Sequence, residues 1–220
     1  MDSEERDRRT GETPAGESGG PDAPRAAAAR ALAAATSARS VVLVEGISDQ
    51  IALDTLAVRH GRDLASERVV IVPIGGAHAI ERYLVRFGPL GDDCAISGMC
   101  DAGEELFVRQ SLAASGMGST GTRAAMERLG FFVCVEDLED ELIRASGRES
   151  IEAVLDDQGD LKSFRTLQKQ PAWKQQTFDA QMHRFLGAGA RRKSRYARLL
   201  VDSLPLERVP RPLQAVLERT

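Results

Sequence analysis

Four short apolar runs, spaced by helical patterns, constrain this chain more than any other feature. They read Ser40-VVLVE, Val69-VIVPI, Cys94-AISGMC and Phe131-FVCV. Each is short for a buried helix and lacks in-out alternation, so each fits a strand buried on both faces, as in a parallel sheet. Between them lie segments with helical spacing. Ser48 is a candidate N-cap for DQIALDTLAVRHG, where Ile51, Leu53, Leu56, Ala57 and Val58 supply an apolar face and Gly61 a stop. Helices are also expected over AHAIERYLVRFG, EELFVRQSLAASG, TRAAMERLG and EDLEDELIRASG. This β-α-β-α-β-α-β succession predicts an α/β fold, a parallel sheet of about four strands covered by helices.

The flanks read differently. Residues 1–24 mix charge with Gly, Pro, Ser and Thr and lack large apolar side chains, the composition of a disordered tail. Residues 25–39, RAAAARALAAATSAR, favour a helix whose alanine surface suits close docking, as in a homodimer. Residues 40–147 hold the α/β pattern, and residues 148–220 carry only helical patterns, a helical C-terminal appendage.

Composition narrows the function. No apolar run approaches the roughly 18 residues of a membrane span. The polar, acidic start MDSEERDRRT lacks the apolar block of a secretory signal. Cys94, Cys100 and Cys134 show no C-x-x-C spacing, which argues against a disulfide framework or a zinc site and for a reducing cytoplasm. His60, His78 and His183 are the only histidines, too few for a multi-histidine metal centre. The net charge of −4 is unevenly spread. Residues 161–198 hold ten Lys and Arg against one acid, Asp179, whereas residues 1–160 are strongly acidic. An acidic part suits cations and a basic part suits a polyanion, with a solvated helical surface as the plain alternative.

Open parallel sheets bind ligands at the carboxyl ends of their strands, and acids gather there. Glu45 ends the first run and Asp49 follows it; Asp101 ends the third, with Glu104 and Glu105 beyond; Asp137 follows the fourth, then Glu139 and Asp140. So many like charges repel unless cations sit among them, and hard oxygen ligands suit Mg²⁺ or Mn²⁺. Asp101 with Glu104, and Asp137 alone, also read as helix caps. Glu45 has no capping position to fill. Gly116, Gly118 and Gly121 fit G-x-G-x-x-G but follow a helix, not a strand, so they fail as a dinucleotide loop.

VVLVEGISD resembles the first motif of the Toprim domain, an apolar strand ending in Glu-Gly with an Asp a few residues on. Ile74-GG and Ile96-SGMCDAGE continue the resemblance in order, and the run from Ser40 to Arg144 is covered. The arrangement is most similar to nucleases of the OLD (overcoming lysogenization defect) type. It lacks a G-x-x-x-x-G-K-[ST] loop, so it looks like a free-standing Toprim protein without the ATPase, which would act in trans.

The resemblance implies a site for one or two Mg²⁺ or Mn²⁺ ions on Glu45, Asp49 and Asp101, with Asp137 and Glu139 where OLD-type enzymes supply further ligands. Asp101-Ala-Gly103 lacks the second aspartate of the usual Asp-x-Asp, and Glu104 is the candidate replacement. OLD-type enzymes also use a basic residue after the sheet, for which Lys193 is the candidate. Glu45 is read either as a ligand or as a general acid or base. The expected activity is metal-dependent phosphoryl transfer on nucleic acid, foremost DNA endonuclease cleavage; the alternative is an inactive Toprim module that binds nucleic acid or a partner ATPase. Lys162, Arg165, Lys169, Lys174, Arg191, Arg192 and Arg195 are the candidate nucleic-acid contacts. The interleaved Phe164, Trp173, Phe178, Phe185 and Tyr196 read either as base-stacking groups or as the core of a helical bundle.

Overall fold

A computed structural model describes residues 23–92 and 94–220; the expected tail lies almost wholly outside them. The four apolar runs form strands β1 (Ser40–Val44), β2 (Val69–Pro73), β3 (Ala95–Cys100) and β4 (Phe131–Val133). They make one parallel sheet in the order β2-β1-β3-β4. Val42 pairs with Ile71 on one side, and Leu43 pairs with Gly98 on the other. The order reverses between β1 and β3, which makes the gap between their carboxyl ends the topological switch point. Gly98 sits beside that gap because nothing larger fits. An added Cβ there would lie 2.6 Å from the Leu43 carbonyl oxygen and 2.9 Å from the Phe131 ring.

Both sheet faces are apolar, as the unalternating runs require. On one face Val41, Leu43, Val72, Ile96, Phe131 and Val133 are buried under α1 (Ala23–Ala35), α3 (Ile80–Phe87), α4 (Glu105–Ala114) and α5 (Arg123–Arg128). Tyr83, Leu84 and Phe87 of α3 and Leu112 of α4 fill that layer. Thr122 caps α5 by accepting from the Ala125 N–H at 3.1 Å.

The other face carries α2 (Ile47–Arg59) and all the later helices: α6 (Leu138–Ser146), α7 (Arg148–Asp157), α8 (Leu161–Gln168), α9 (Phe178–Leu186), α10 (Ala190–Ser203) and α11 (Arg211–Glu218). Here the C-terminal helices do not stand apart. Leu200, Val201, Leu213 and Val216 share one core with Val42, Val44 and Ile71 of the sheet and with Leu53 and Leu56 of α2. α10 lies along α2, fastened by Arg59, whose guanidinium donates to the Val201 carbonyl at 2.6 Å. Each fully buried leucine in this layer contributes about 1.5–3 kcal/mol, so the helices after Gly147 stabilise the sheet as well as themselves.

The interleaved aromatics belong to that core. Phe164, Phe185 and Tyr196 are fully buried and meet edge to face, with Phe164–Phe185 and Phe185–Tyr196 centroids 5.4 and 6.4 Å apart. That excludes them as base-stacking groups; Trp173 and Phe178 are half-buried.

Two local expectations are corrected. The first helix runs Ala23–Ala35, not to Arg39, because the chain must turn at Ser37 and Ala38 to enter β1. The N-cap of α2 is Gly46, not Ser48. Asp49, one turn in, reaches back to accept the Gly46 N–H at 2.7 Å, which leaves Ser48 inside the helix and buried.

Candidate functional site

β1 and β3 run parallel with Leu43 opposite Gly98, so both end at the same edge of the sheet and deliver Glu45 and Asp101 there. Glu45 is fixed by its own backbone: its carbonyl accepts the N–H groups of Gly75 and Gly76 at 3.0 and 3.1 Å. Those two residues turn back from β2 with φ of 80° and 106°, conformations that suit glycine alone. The half-buried Glu45 side chain reaches the rim, where its Oε2 is buried and has no hydrogen-bond partner. Asp101 begins a 3-10 turn (Ala102–Glu104), but its side chain makes no capping bond. The capping reading of Asp101 fails, and its carboxylate is left facing other acids.

Asp49 is only 8% exposed. Burial pushes its carboxyl up to about 7; the Gly46 N–H opposes this, Glu139 and Glu45 add to it, and Lys193 offsets part. Asp101 is pushed up to about 8, first by burial and then by Glu45, Asp49 and Asp137, again against Lys193. Glu139, 4% exposed, is raised chiefly by burial. Carboxyls from β1, α2, β3 and α6 therefore lie close enough to resist each other's ionisation. Burial is the larger cause at both aspartates, and repulsion from the neighbouring acids adds to it.

Two basic groups meet this rim from the far half of the chain. Lys193, on the first turn of α10, donates from Nζ to Glu139 Oε2 at 2.9 Å. Burial works against its charge, but Glu139, Asp49 and Asp137 outweigh that and raise its pKa. His183, on α9, places Nε2 2.6 Å from Asp137 Oδ2. The other oxygen of Asp137 accepts the Asp140 N–H at 2.8 Å and so caps α6, meaning the capping reading of Asp137 holds alongside its place on the rim. No sequence motif signals His183; only the packing of α9 on α6 brings it there.

The remaining candidates are less central. Glu104 is half-buried in the turn after Asp101, and among the described residues no hydrogen bond or ion pair ties its carboxylate. Glu105 turns away to Arg123 at 2.5 Å. Cys100, at the end of β3, is pushed up to about 12 by burial, then by Asp101, Glu105 and Glu45, and is an inert thiol. Among the basic candidates, Lys162, Lys169, Lys174, Arg191 and Arg195 are exposed. Arg165 is paired with Glu152 at 2.6 Å, Arg195 with Asp160, and Arg192 lies 4.1 Å over the Phe185 ring, so these three hold helices together.

Among the described residues, no three His, Cys, Asp or Glu side chains stand close enough to grip a metal ion as they are placed. The donor chemistry nevertheless fits a hard divalent cation. Every acid of the rim offers oxygen, and Glu45 Oε2 and Glu139 Oε1 are buried without partners, a costly state that a cation relieves.

Comparison with known proteins agrees with this architecture. Residues 38–97, which hold β1, α2, β2, α3 and the first half of β3, match the family model "Overcoming lysogenization defect protein-like, TOPRIM domain". The fold resembles the C-terminal region of the OLD protein of Xanthomonas campestris pv. campestris, with 21% identity over 83% of this chain and 94% of that one and a TM-score of 0.63. The C-terminal region of the Burkholderia pseudomallei OLD protein aligns with a TM-score of 0.62 at 17% identity, over 82% of this chain and 96% of that one. The Toprim, OLD-type resemblance read from the motifs is borne out, and the structural likeness covers more of the chain than the family model does. No curated protein matches significantly. No described helix is long and apolar enough to cross a membrane.

Proposed function

We propose that this chain is a divalent-metal-dependent enzyme of phosphodiester cleavage, acting on DNA as an endonuclease. The observation that carries the reading is the rim itself: Asp49 and Asp101 pushed up to about 7 and about 8, with Lys193 as their nearest cationic relief. Structural acids are spread to avoid such repulsion; sites that work on a polyanion through a cation gather them. Glu45, Asp49 and Asp101 would hold Mg²⁺ or Mn²⁺, with Asp137, Glu139 and Glu104 alongside. The ion supplies a Lewis acid for the phosphoryl oxygens and neutralises the approach of phosphate to the acids.

The protein's own groups then divide the work. Lys193 stabilises the negative charge that grows on the phosphoryl oxygens in the transition state. Its ammonium is charged and aimed into the rim, so it needs no reorganisation at that moment. Glu45, with one oxygen unpartnered, is placed to take or return a proton at the attacking or leaving oxygen. Exposed Lys162, Lys169, Lys174 and Arg191 add general attraction for the backbone, which weakens with salt.

One observation favours a second reading, an inactive Toprim module that binds nucleic acid or an ATPase partner. Gly103 stands where the usual motif has its second aspartate, and no three acids form a grip. Nicking of supercoiled plasmid separates the two. The enzyme reading expects Mn²⁺- or Mg²⁺-dependent nicking, abolished by Glu45→Gln and by Asp101→Asn. Plasmid bound but uncut at any divalent concentration would refute it and leave the module.

A further inference from the structure

His183 serves none of the purposes a surface histidine usually serves. Its neighbours on α9, Met182, Phe185 and Leu186, are buried in the shared core, so α9 is a rigid element. The imidazole itself is not packing: its side chain is 48% exposed. It spends its Nε2 on one atom, Asp137 Oδ2, at 2.6 Å. In the tautomer that carries its proton on Nε2, the ring donates to this oxygen and leaves Nδ1 as its other nitrogen. Because Asp137 Oδ1 is already held by the Asp140 N–H, the two bonds together fix the plane of the carboxylate.

We infer that His183 is a positioning residue of the acidic rim: its ring, brought from α9 across to the start of α6, sets the Asp137 carboxylate for a divalent cation. The inference rests on the metal-binding reading above. Carboxylates that meet a metal are themselves held by hydrogen-bond donors, and loss of such a donor weakens metal binding by about 10–100-fold. Lys193 performs the parallel task for Glu139, but as a charge. His183 supplies direction, which a flexible ammonium cannot.

The test uses the full chain and measures Mn²⁺ binding by calorimetry, with melting temperature in EDTA as the control for folding. His183→Ala is expected to melt like the wild type in EDTA and to bind Mn²⁺ about 10-fold or more weakly. His183→Gln keeps an N–H donor near the same place and is expected to recover most of the affinity. Wild-type affinity in His183→Ala overturns this inference and leaves the metal reading standing. Weakening in His183→Gln equal to that in His183→Ala also overturns it, because the bond would then not be what matters. A wild type that binds no Mn²⁺ overturns both.

Discussion

Asp49→Asn tests the electrostatics of the rim with little else disturbed. The new amide keeps an oxygen to accept the Gly46 N–H, so the start of α2 is preserved. In the wild type the folded protein holds the Asp49 proton far more tightly than the unfolded chain does. That favours folding fully below about pH 3.8, and the advantage is lost as the pH rises through about 7. A rise from 3.8 to about 7 corresponds to about 4 kcal/mol, at about 1.4 kcal/mol for each tenfold change. Asp49 is coupled to the buried Glu139, whose carboxyl is also raised, so about 2 kcal/mol is the part expected to vanish with Asp49 alone. In a chain of this size that is about 4–8 °C in melting temperature. Calorimetric melts in EDTA should therefore place the wild type and Asp49→Asn closest near pH 4 and the variant above the wild type by that margin at pH 8. Mg²⁺ should narrow the gap at pH 8 by stabilising the wild type. Parallel melting curves from pH 4 to 8 would refute the claim that the rim is electrostatically strained.

Further outcomes follow from the packing and the charges. Gly98→Val drives a side chain into the Leu43 carbonyl and the Phe131 ring and should cost about 1–3 kcal/mol or prevent folding, read by urea titration. Leu200→Ala empties a fully buried position between α10 and α2 and should cost about 2–5 kcal/mol in the same titration. Lys193→Met leaves the buried Glu139 carboxylate without its cation and raises its pKa further. The variant should therefore lose more stability relative to wild type at pH 8 than at pH 5, and an equal loss at both would contradict the pairing.

The acidic half of the site was legible because it is local. A strand buried on both faces must be apolar throughout, so the acid that ends it is marked by contrast, as Glu45 is after Val41–Val44 and Asp101 after Ile96–Cys100. Parallel connectivity then sends those ends to one edge. The basic half was legible only through the family resemblance, which singled out Lys193 among ten similar residues. Nothing in its local sequence distinguishes it from Arg192 or Arg195; its place depends on how α10 lies along α2. His183 went unread for the same reason, since its partner Asp137 is reached only through packing of α9 on α6. The start of α2 was misread because Ser48 has the better capping chemistry locally, while Asp49 reaches back to the Gly46 N–H from inside the first turn.

The core that joins the sheet to its last helices has a consequence for how the molecule is made. As the nascent chain leaves the ribosome, the carboxylates emerge well before Lys193 and His183, and before the side chains of α9 to α11 that help cover the second face of the sheet. Until α9 to α11 are in place, an early product leaves the second face of the sheet uncovered and its acidic edge without Lys193 and His183. The acidic edge is therefore completed only once α9 and α10 have been made and have packed onto α6 and α2.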